Sequence, residues 1–178
     1  MIQKILDESE RKRKEKVKKE TTIQVRPAKR EDLEAMIEIE AVCFPAAEAA
    51  GKKEFHERFR AFGENFFVAE KDGQVIGFIN GSTADEAILR DEMYHDISLH
   101  RKDGRYQMVF GLDVLPEYRR QGVASALIRA MIDSARARGR KGVVLTCKDR
   151  LIHYYETFGF QWMGVSASSH GGAKWNDM

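Results

Sequence analysis

The stretch Arg119-Arg120-Gln121-Gly122-Val123-Ala124-Ser125 constrains the fold of this chain more than any other. It follows an apolar run from Met108 to Leu115 and opens a helical pattern, with apolar residues at Val123, Ala124, Leu127, Ile128, Met131, Ile132 and Ala135. That is the one-face spacing of an amphipathic helix, and Gly139 stands where such a helix ends. The local design is strand, basic turn, helix. The first N–H groups of a helix have no internal partner, and the helix dipole adds positive potential there. Such an end binds phosphate. Gly122 carries no Cβ to hold an anion away from the backbone, and the guanidinium forks of Arg119 and Arg120 suit phosphate oxygens. The turn therefore predicts a diphosphate-bearing ligand. It has neither the Gly-Lys-Ser/Thr of a P-loop nor the three glycines of the dinucleotide fingerprint. Turn chemistry alone leaves open a helix start that merely carries arginines.

The rest of the chain sets the context. A length of 178 residues with 43% hydrophobic side chains fits one globular domain with a single core. No apolar run approaches a membrane span, and no leader pattern opens the sequence. Cys43 and Cys147 make neither a disulfide framework nor a zinc spacing. A formal net charge of +2 is too small to argue for nucleic acid or a membrane surface. The expectation is a cytoplasmic protein without a metal, a monomer or homodimer, acting on a small molecule. Residues 1–21 read as a charged N-terminal extension, with pairs such as Glu8 to Lys12 on one helical face. Residues 22–178 read as the domain.

Along that domain, Thr22 to Arg26 is a short strand ended by Pro27, and helical spacing runs from about Arg30 to Val42, stopped by Cys43-Phe44-Pro45. After a small-residue loop to Gly51, Phe55, Phe59 and Phe62 mark a second helix ending at Gly63. Phe66 to Glu70 and Gln74 to Gly81 read as a hairpin through Asp72-Gly73. Ala84 to Tyr94 is polar with some helical character. A strand over about 107–115, the central helix, a strand over Gly142 to Cys147, a short helix over about Arg150 to Thr157 and a last hairpin through Ser168–Gly172 complete the order. This predicts an α/β (α+β) domain with a single mixed, mostly antiparallel sheet flanked by helices.

Arg119-x-x-Gly122-x-Ala124 resembles the Arg/Gln-x-x-Gly-x-Gly/Ala signature of the GNAT-type N-acetyltransferases, which binds the pyrophosphate of acetyl-CoA. The element order from Thr22 onward resembles that fold as well. Within the superfamily the chain is most similar to the arylalkylamine branch, which includes the serotonin N-acetyltransferases. Ser98-Leu99-His100-Arg101, Arg119-Arg120-Gln121-Gly122, Cys147-Lys148-Asp149 and Tyr155-Glu156-Thr157-Phe158 resemble that branch's segments in order and at closely matching spacing.

The resemblance implies acetyl transfer from acetyl-CoA to a primary amine of a small molecule, arylalkylamine or polyamine-like. Leu112, Asp113 and Val114 would hold the pantetheine arm and the thioester carbonyl through backbone groups, and Arg120, Gln121, Gly122, Val123, Ala124 and Ser125 would hold the diphosphate, with Arg119 nearby. Tyr155 matches the tyrosine that protonates the leaving thiolate. A phenol is protonated at neutral pH, which suits that role. Phe44 and Glu48 are candidates for the acceptor side. The branch's two strand histidines, which carry the amine proton away, fall here on Met108 and Phe110, which accept no proton. Glu48, Asp85, Glu86, His95, His100 and His153 are possible substitutes, the acids reading equally as exposed loop residues. Acetylation of a protein or peptide amine, and acetyl-CoA binding without transfer, remain alternatives.

Overall fold

The computed structural model describes residues 22–178, and the charged 1–21 extension lies outside them. The strands are β1 (Gln24–Pro27), β2 (Phe67–Lys71), β3 (Gln74–Asn80), β4 (Thr83–Ala84), β5 (Tyr106–Met108), β6 (Gly111–Val114), β7 (Gly142–Val144), β8 (Thr146–Cys147), β9 (Gly164–Val165) and β10 (Asn176–Asp177). The helices are α1 (Leu33–Cys43), α2 (Lys52–Phe62), α3 (Val123–Ala137) and α4 (Ile152–Glu156).

Successive strand residues point to opposite faces, and the sheet is covered on both. Val68 and Phe78 point to one side, where they pack with Met36 and Ile39 of α1 and Phe55 and Phe62 of α2. Their neighbours Ala69 and Ile79 point to the other, against Val123, Leu127, Ile128 and Met131 of α3. The aromatic stripe of α2 is therefore core. Phe55 meets Phe78 edge-on at 5.6 Å, and Phe59 meets Phe66 at 5.4 Å. The β2–β3 hairpin turns at Asp72 and Gly73, both at positive φ (54° and 77°). A two-residue turn of that hand matches the twist of the strands it joins.

The single sheet read from the sequence is present, with its hydrogen-bonded ladder broken into three segments. β3 and β4 run antiparallel to β6 and β5, with Asn80 opposite Gly111 and Thr83 opposite Gln107. Three residues on the second strand face two on the first, so Val109–Phe110 forms a bulge that interrupts the strand expected over 107–115. Met108 and Phe110 still donate to Ser82 and Asn80 carbonyls at 2.9 and 2.8 Å across it. The segment Ala84 to Tyr94 holds a single 3-10 turn, Asp91–Tyr94. Ala84, Leu89 and Met93 anchor it in the core, and the acids Asp85 and Glu86 stay exposed.

One irregularity positions the site. β5 pairs with β7 in parallel as far as Met108 opposite Val144, and Val109 N–H donates to the Val144 carbonyl at 2.9 Å. Beyond that bond the two strands separate. β8 turns to β10, with Leu145 and Met178 exchanging backbone bonds of 3.1 and 2.9 Å, while β6 pairs only with β3. A cleft opens between β6 and β8. No helix among the described residues is long and apolar enough to cross a membrane.

Candidate active site

The cleft has a volume of about 380 Å³. Gly111 and Leu112 of β6 form one wall and Thr146 and Cys147 of β8 the other. Because β6 is an edge strand among the described residues, its outer backbone N–H and C=O groups have no strand partner there, and those of the stretch lining the cleft are open to it. Main-chain donors fixed by a sheet hold a carbonyl oxygen without reorganising. Leu112 lines the cleft, and Asp113 turns its side chain into the buried layer behind, where it is 3% exposed.

That layer is strongly polar. Glu40 of α1, Asn80 and Asp113 converge on Gly111, where a Cβ would lie 3.4 to 3.5 Å from an oxygen of each. Burial, and next the neighbouring Glu40, push the Asp113 carboxyl well above the usual carboxylate range. Glu40 Oε1 accepts the Ala50 N–H at 2.8 Å, which ties the loop after α1 to the same cluster.

The basic turn closes the far end of β6. Arg120 (φ 60°) and Gly122 (φ 80°) are both left-handed, and Gly122 is the N-cap of α3, with no side chain capping the helix. The first-turn donors of α3 are thus left for a ligand. A Cβ on Gly122 would meet no atom within 4 Å, so its outer side is open space. The arginines divide their roles. Arg119 folds back on β6, its Nε donating to the Val114 carbonyl at 3.0 Å and its Nη2 lying 3.6 Å from Cys43 Sγ. Arg120 is exposed and makes no side-chain hydrogen bond among the described residues. Gln121 Nε2 donates to the Glu117 carbonyl at 3.0 Å. The turn lies outside the cleft lining. Leu112 on β6 and Tyr154-Tyr155 on α4 link the two, with Ser125 Oγ 3.3 Å from Tyr154 Oη.

Tyr155 lines the cleft from α4 and is 8% exposed. Its hydroxyl makes no hydrogen bond to another described residue. Burial, and next Cys147, push the phenol above its usual value, so it is protonated throughout the neutral range. The same wall acts on sulfur, because burial and Asp149 push the Cys147 thiol up to about 11.

Phe44 and Glu48 both line the cleft from the loop after α1. Glu48 is no exposed loop acid. Its side chain is 6% exposed, and Oε1 accepts from Lys148 Nζ at 3.0 Å while Oε2 is buried with no partner. His95 lines the same space, 3.7 Å from Glu54. The other proposed bases lie elsewhere. Asp85 and Glu86 are exposed, with Glu86 paired to Arg90. His100 Nδ1 accepts the Thr83 N–H at 3.2 Å and its ring packs on Phe62. His153 stands in solvent, 3.4 Å from Glu156. Neither of the two strand positions without histidine offers a base: Met108 is fully buried, and Phe110 packs on Tyr94 at 4.9 Å.

Among the residues lining this cleft that sequence reasoning missed are Glu40, Arg58, Tyr94, His170 and Trp175. Tyr94, His170 and Trp175 sit on connections whose folding has no periodic signature. His170 stacks on Tyr94 at 4.7 Å, and its Nε2 lies 3.0 Å from the Glu48 carbonyl. Arg58 did carry a signal, for it lies between Phe55 and Phe62 on the apolar face of α2, where a charge is out of place.

Residues 33–160 match the acetyltransferase (GNAT) family. Serotonin N-acetyltransferase of Mesocricetus auratus is 34% identical over 102 residues, which cover 57% of this chain and 48% of that enzyme. The chain thus spans about half the length of that curated relative. Ard1 from Thermoplasma volcanium superposes with a TM-score of 0.67 at 21% identity, covering 87% of this chain and 95% of that one. The GNAT-like decarboxylase GphF, solved in complex with isobutyryl-CoA, superposes with a TM-score of 0.64 at 26% identity, covering 78% and 72%. The parted strands, the open N-terminus of α3 behind a left-handed glycine and the matched span lead to one assignment: this chain belongs to the GNAT acetyltransferase family.

Proposed function

We propose that this chain is an N-acetyltransferase that moves an acetyl group from acetyl-CoA to the primary amine of a small molecule by direct attack. The observation that carries the reading is the parting of β6 from β8. It leaves an edge strand with free backbone groups, ended by an anion-ready helix start and faced by Tyr155. The diphosphate lies over residues 120–125, and the pantetheine arm runs along Leu112, Asp113 and Val114. The acetyl group enters the cleft with its carbonyl oxygen toward β6 backbone donors.

The neutral amine nitrogen attacks the thioester carbon and forms the C–N bond. The C–S bond then breaks, and the CoA sulfur takes the Tyr155 proton. The amine proton leaves through groups that line the cleft. Glu48, His95 and His170 qualify by position, whereas Asp85, Glu86, His100 and His153 do not. Cys147 forms no covalent intermediate in this scheme, as its raised thiol value makes it a poor nucleophile. A cleft of about 380 Å³ walled by Phe44, Tyr94, Phe110 and Trp175 favours a small acceptor over a protein segment.

The test is release of free thiol from acetyl-CoA against phenethylamine, tryptamine, spermidine and lysine-bearing peptides. Saturable turnover of one small amine supports the reading. Turnover of peptides alone redirects it to a protein acceptor, and acetyl-CoA binding without turnover of any amine points to a binding module.

A further inference from the structure

Arg58 is a buried basic residue of the cleft that the reaction above does not use. It sits on the core-facing side of α2, is 5% exposed and lines the cleft. A buried guanidinium is normally paired with a carboxylate, because an unpaired charge away from water is costly. This one is not. Nη2 donates to the Tyr94 carbonyl at 2.8 Å, Nε is buried with no partner, and Nη1 has none among the described residues. The neighbouring acids are engaged elsewhere: Glu40 Oε1 with the Ala50 N–H at 2.8 Å, and Glu54 Oε2 with the Gly51 N–H at 2.7 Å. The Arg58 guanidinium lies 5.0 Å over the Phe110 ring, so it is held in place by packing. Across the same cleft Glu48 Oε2 is also buried without a partner. Glu48 is paired to Lys148 through Oε1 at 3.0 Å, so the acceptor space presents one cation with no direct carboxylate partner among the described residues and one carboxylate oxygen still open, between aromatic walls.

We propose that Arg58 anchors a carboxylate carried by the acceptor, so that the acceptor is an amino acid-like amine with an apolar or aromatic side chain rather than a plain arylalkylamine. The guanidinium fork receives both carboxylate oxygens, Glu48 faces the incoming ammonium, and Phe110, Tyr94 and Trp175 take the side chain. The inference rests on the amine-acetylation reading and names its substrate class. Burial also lowers the affinity of Arg58 for its proton, a cost that a bound carboxylate offsets.

Matched pairs differing only in the carboxylate give the test: phenylalanine against phenethylamine, and tryptophan against tryptamine, in the thiol-release assay. The wild-type protein should prefer the carboxylated member by about tenfold or more in kcat/KM, the scale of a charge-assisted hydrogen bond. In Arg58→Gln that ratio should collapse toward one, mainly through KM. Arg58→Lys, which keeps the charge and loses the fork, should fall between. Circular dichroism checks that both variants fold, and the wild-type ratio needs no variant. Equal turnover of the two members, or preference for the plain amine, overturns the inference and leaves acetyl transfer intact. If neither member turns over, the transfer reading fails for these acceptors and calorimetry decides the anion site separately. N-acetylphenylalanine binding more tightly than N-acetylphenethylamine, with the difference lost in Arg58→Gln, supports the site. Equal or absent binding overturns it.

Discussion

Replacing Gly122 by alanine separates the two reasons for a glycine at the start of α3. The first is conformational: Gly122 has φ 80°, in the left-handed region, where an L-residue costs about 1–2 kcal/mol. The added methyl meets no protein atom within 4 Å, so no clash adds to that cost. For a chain of this size the loss lowers Tm by about 2–8 °C. The second reason is the ligand. If a diphosphate lies against this backbone, the methyl occupies the space its oxygens need. Losing a single charge-assisted N–H bond costs about 1.5–3 kcal/mol, or about ten- to hundredfold in Kd for acetyl-CoA. Gly139, at the other end of the same helix, supplies the control. It has φ 68° and likewise nothing within 4 Å of a Cβ. Gly139→Ala should lose similar stability and keep wild-type affinity. Calorimetric titration of acetyl-CoA into both folded variants, with thermal melts, reads the two effects apart. Wild-type affinity in Gly122→Ala, or an equal loss in Gly139→Ala, would refute the placement of the diphosphate over this turn.

Other expectations follow from the buried charges. Asp113 holds its proton in the folded state to a pH above that of an unfolded aspartate, so wild-type stability should fall as pH rises above about 4. Asp113→Asn should flatten that fall, and unchanged pH dependence of Tm would argue against the buried carboxyl pair. Arg26 bonds Asp32 through two nitrogens at 2.7 and 3.0 Å and also reaches Glu70 at 2.7 Å. Arg26→Met should cost about 1–3 kcal/mol at neutral pH. Arg26 holds the Asp32 carboxyl below its usual value, so this stabilisation is present above about pH 4 and is lost as pH falls through the lowered value. Urea unfolding of both proteins at pH 7 and pH 3 should show the gap narrowing with acid. Burial raises both thiols, Cys147 to about 11. Iodoacetamide at neutral pH, with the site read by peptide mapping, should therefore label Cys147 at least about tenfold more slowly in the native chain than in the unfolded one; rapid native labelling at Cys147 would contradict its buried placement.

What the sequence makes legible here is local. The glycine turn, the periodicity of α3 and the Asp72-Gly73 hairpin depend on a few adjacent residues, and each is found where its chemistry places it. The bulge at Val109–Phe110 and the parting of β6 from β8 leave no such mark, because they arise from the register between strands distant in the chain. The cleft inherits that difficulty. Tyr155, Phe44 and Glu48 could be nominated from motif and loop composition, but whether Glu48 is exposed depends on Lys148, a hundred residues away, and on the loop carrying His170. Arg58 is the instructive case: a charge within an apolar stripe is visible in the sequence, and its meaning appears only when the cleft beside it is seen.

The central claim is that Tyr155 serves acetyl transfer as a proton donor in a cleft that also holds acetyl-CoA. The most direct measurement is thiol release with the best acceptor amine in wild type and Tyr155→Phe, alongside acetyl-CoA affinity by calorimetry. The account predicts that the variant binds acetyl-CoA within about threefold of wild type while kcat falls by about 10²–10⁴, the range for loss of a positioned general acid. A variant that folds, binds acetyl-CoA and turns over at the wild-type rate would contradict it.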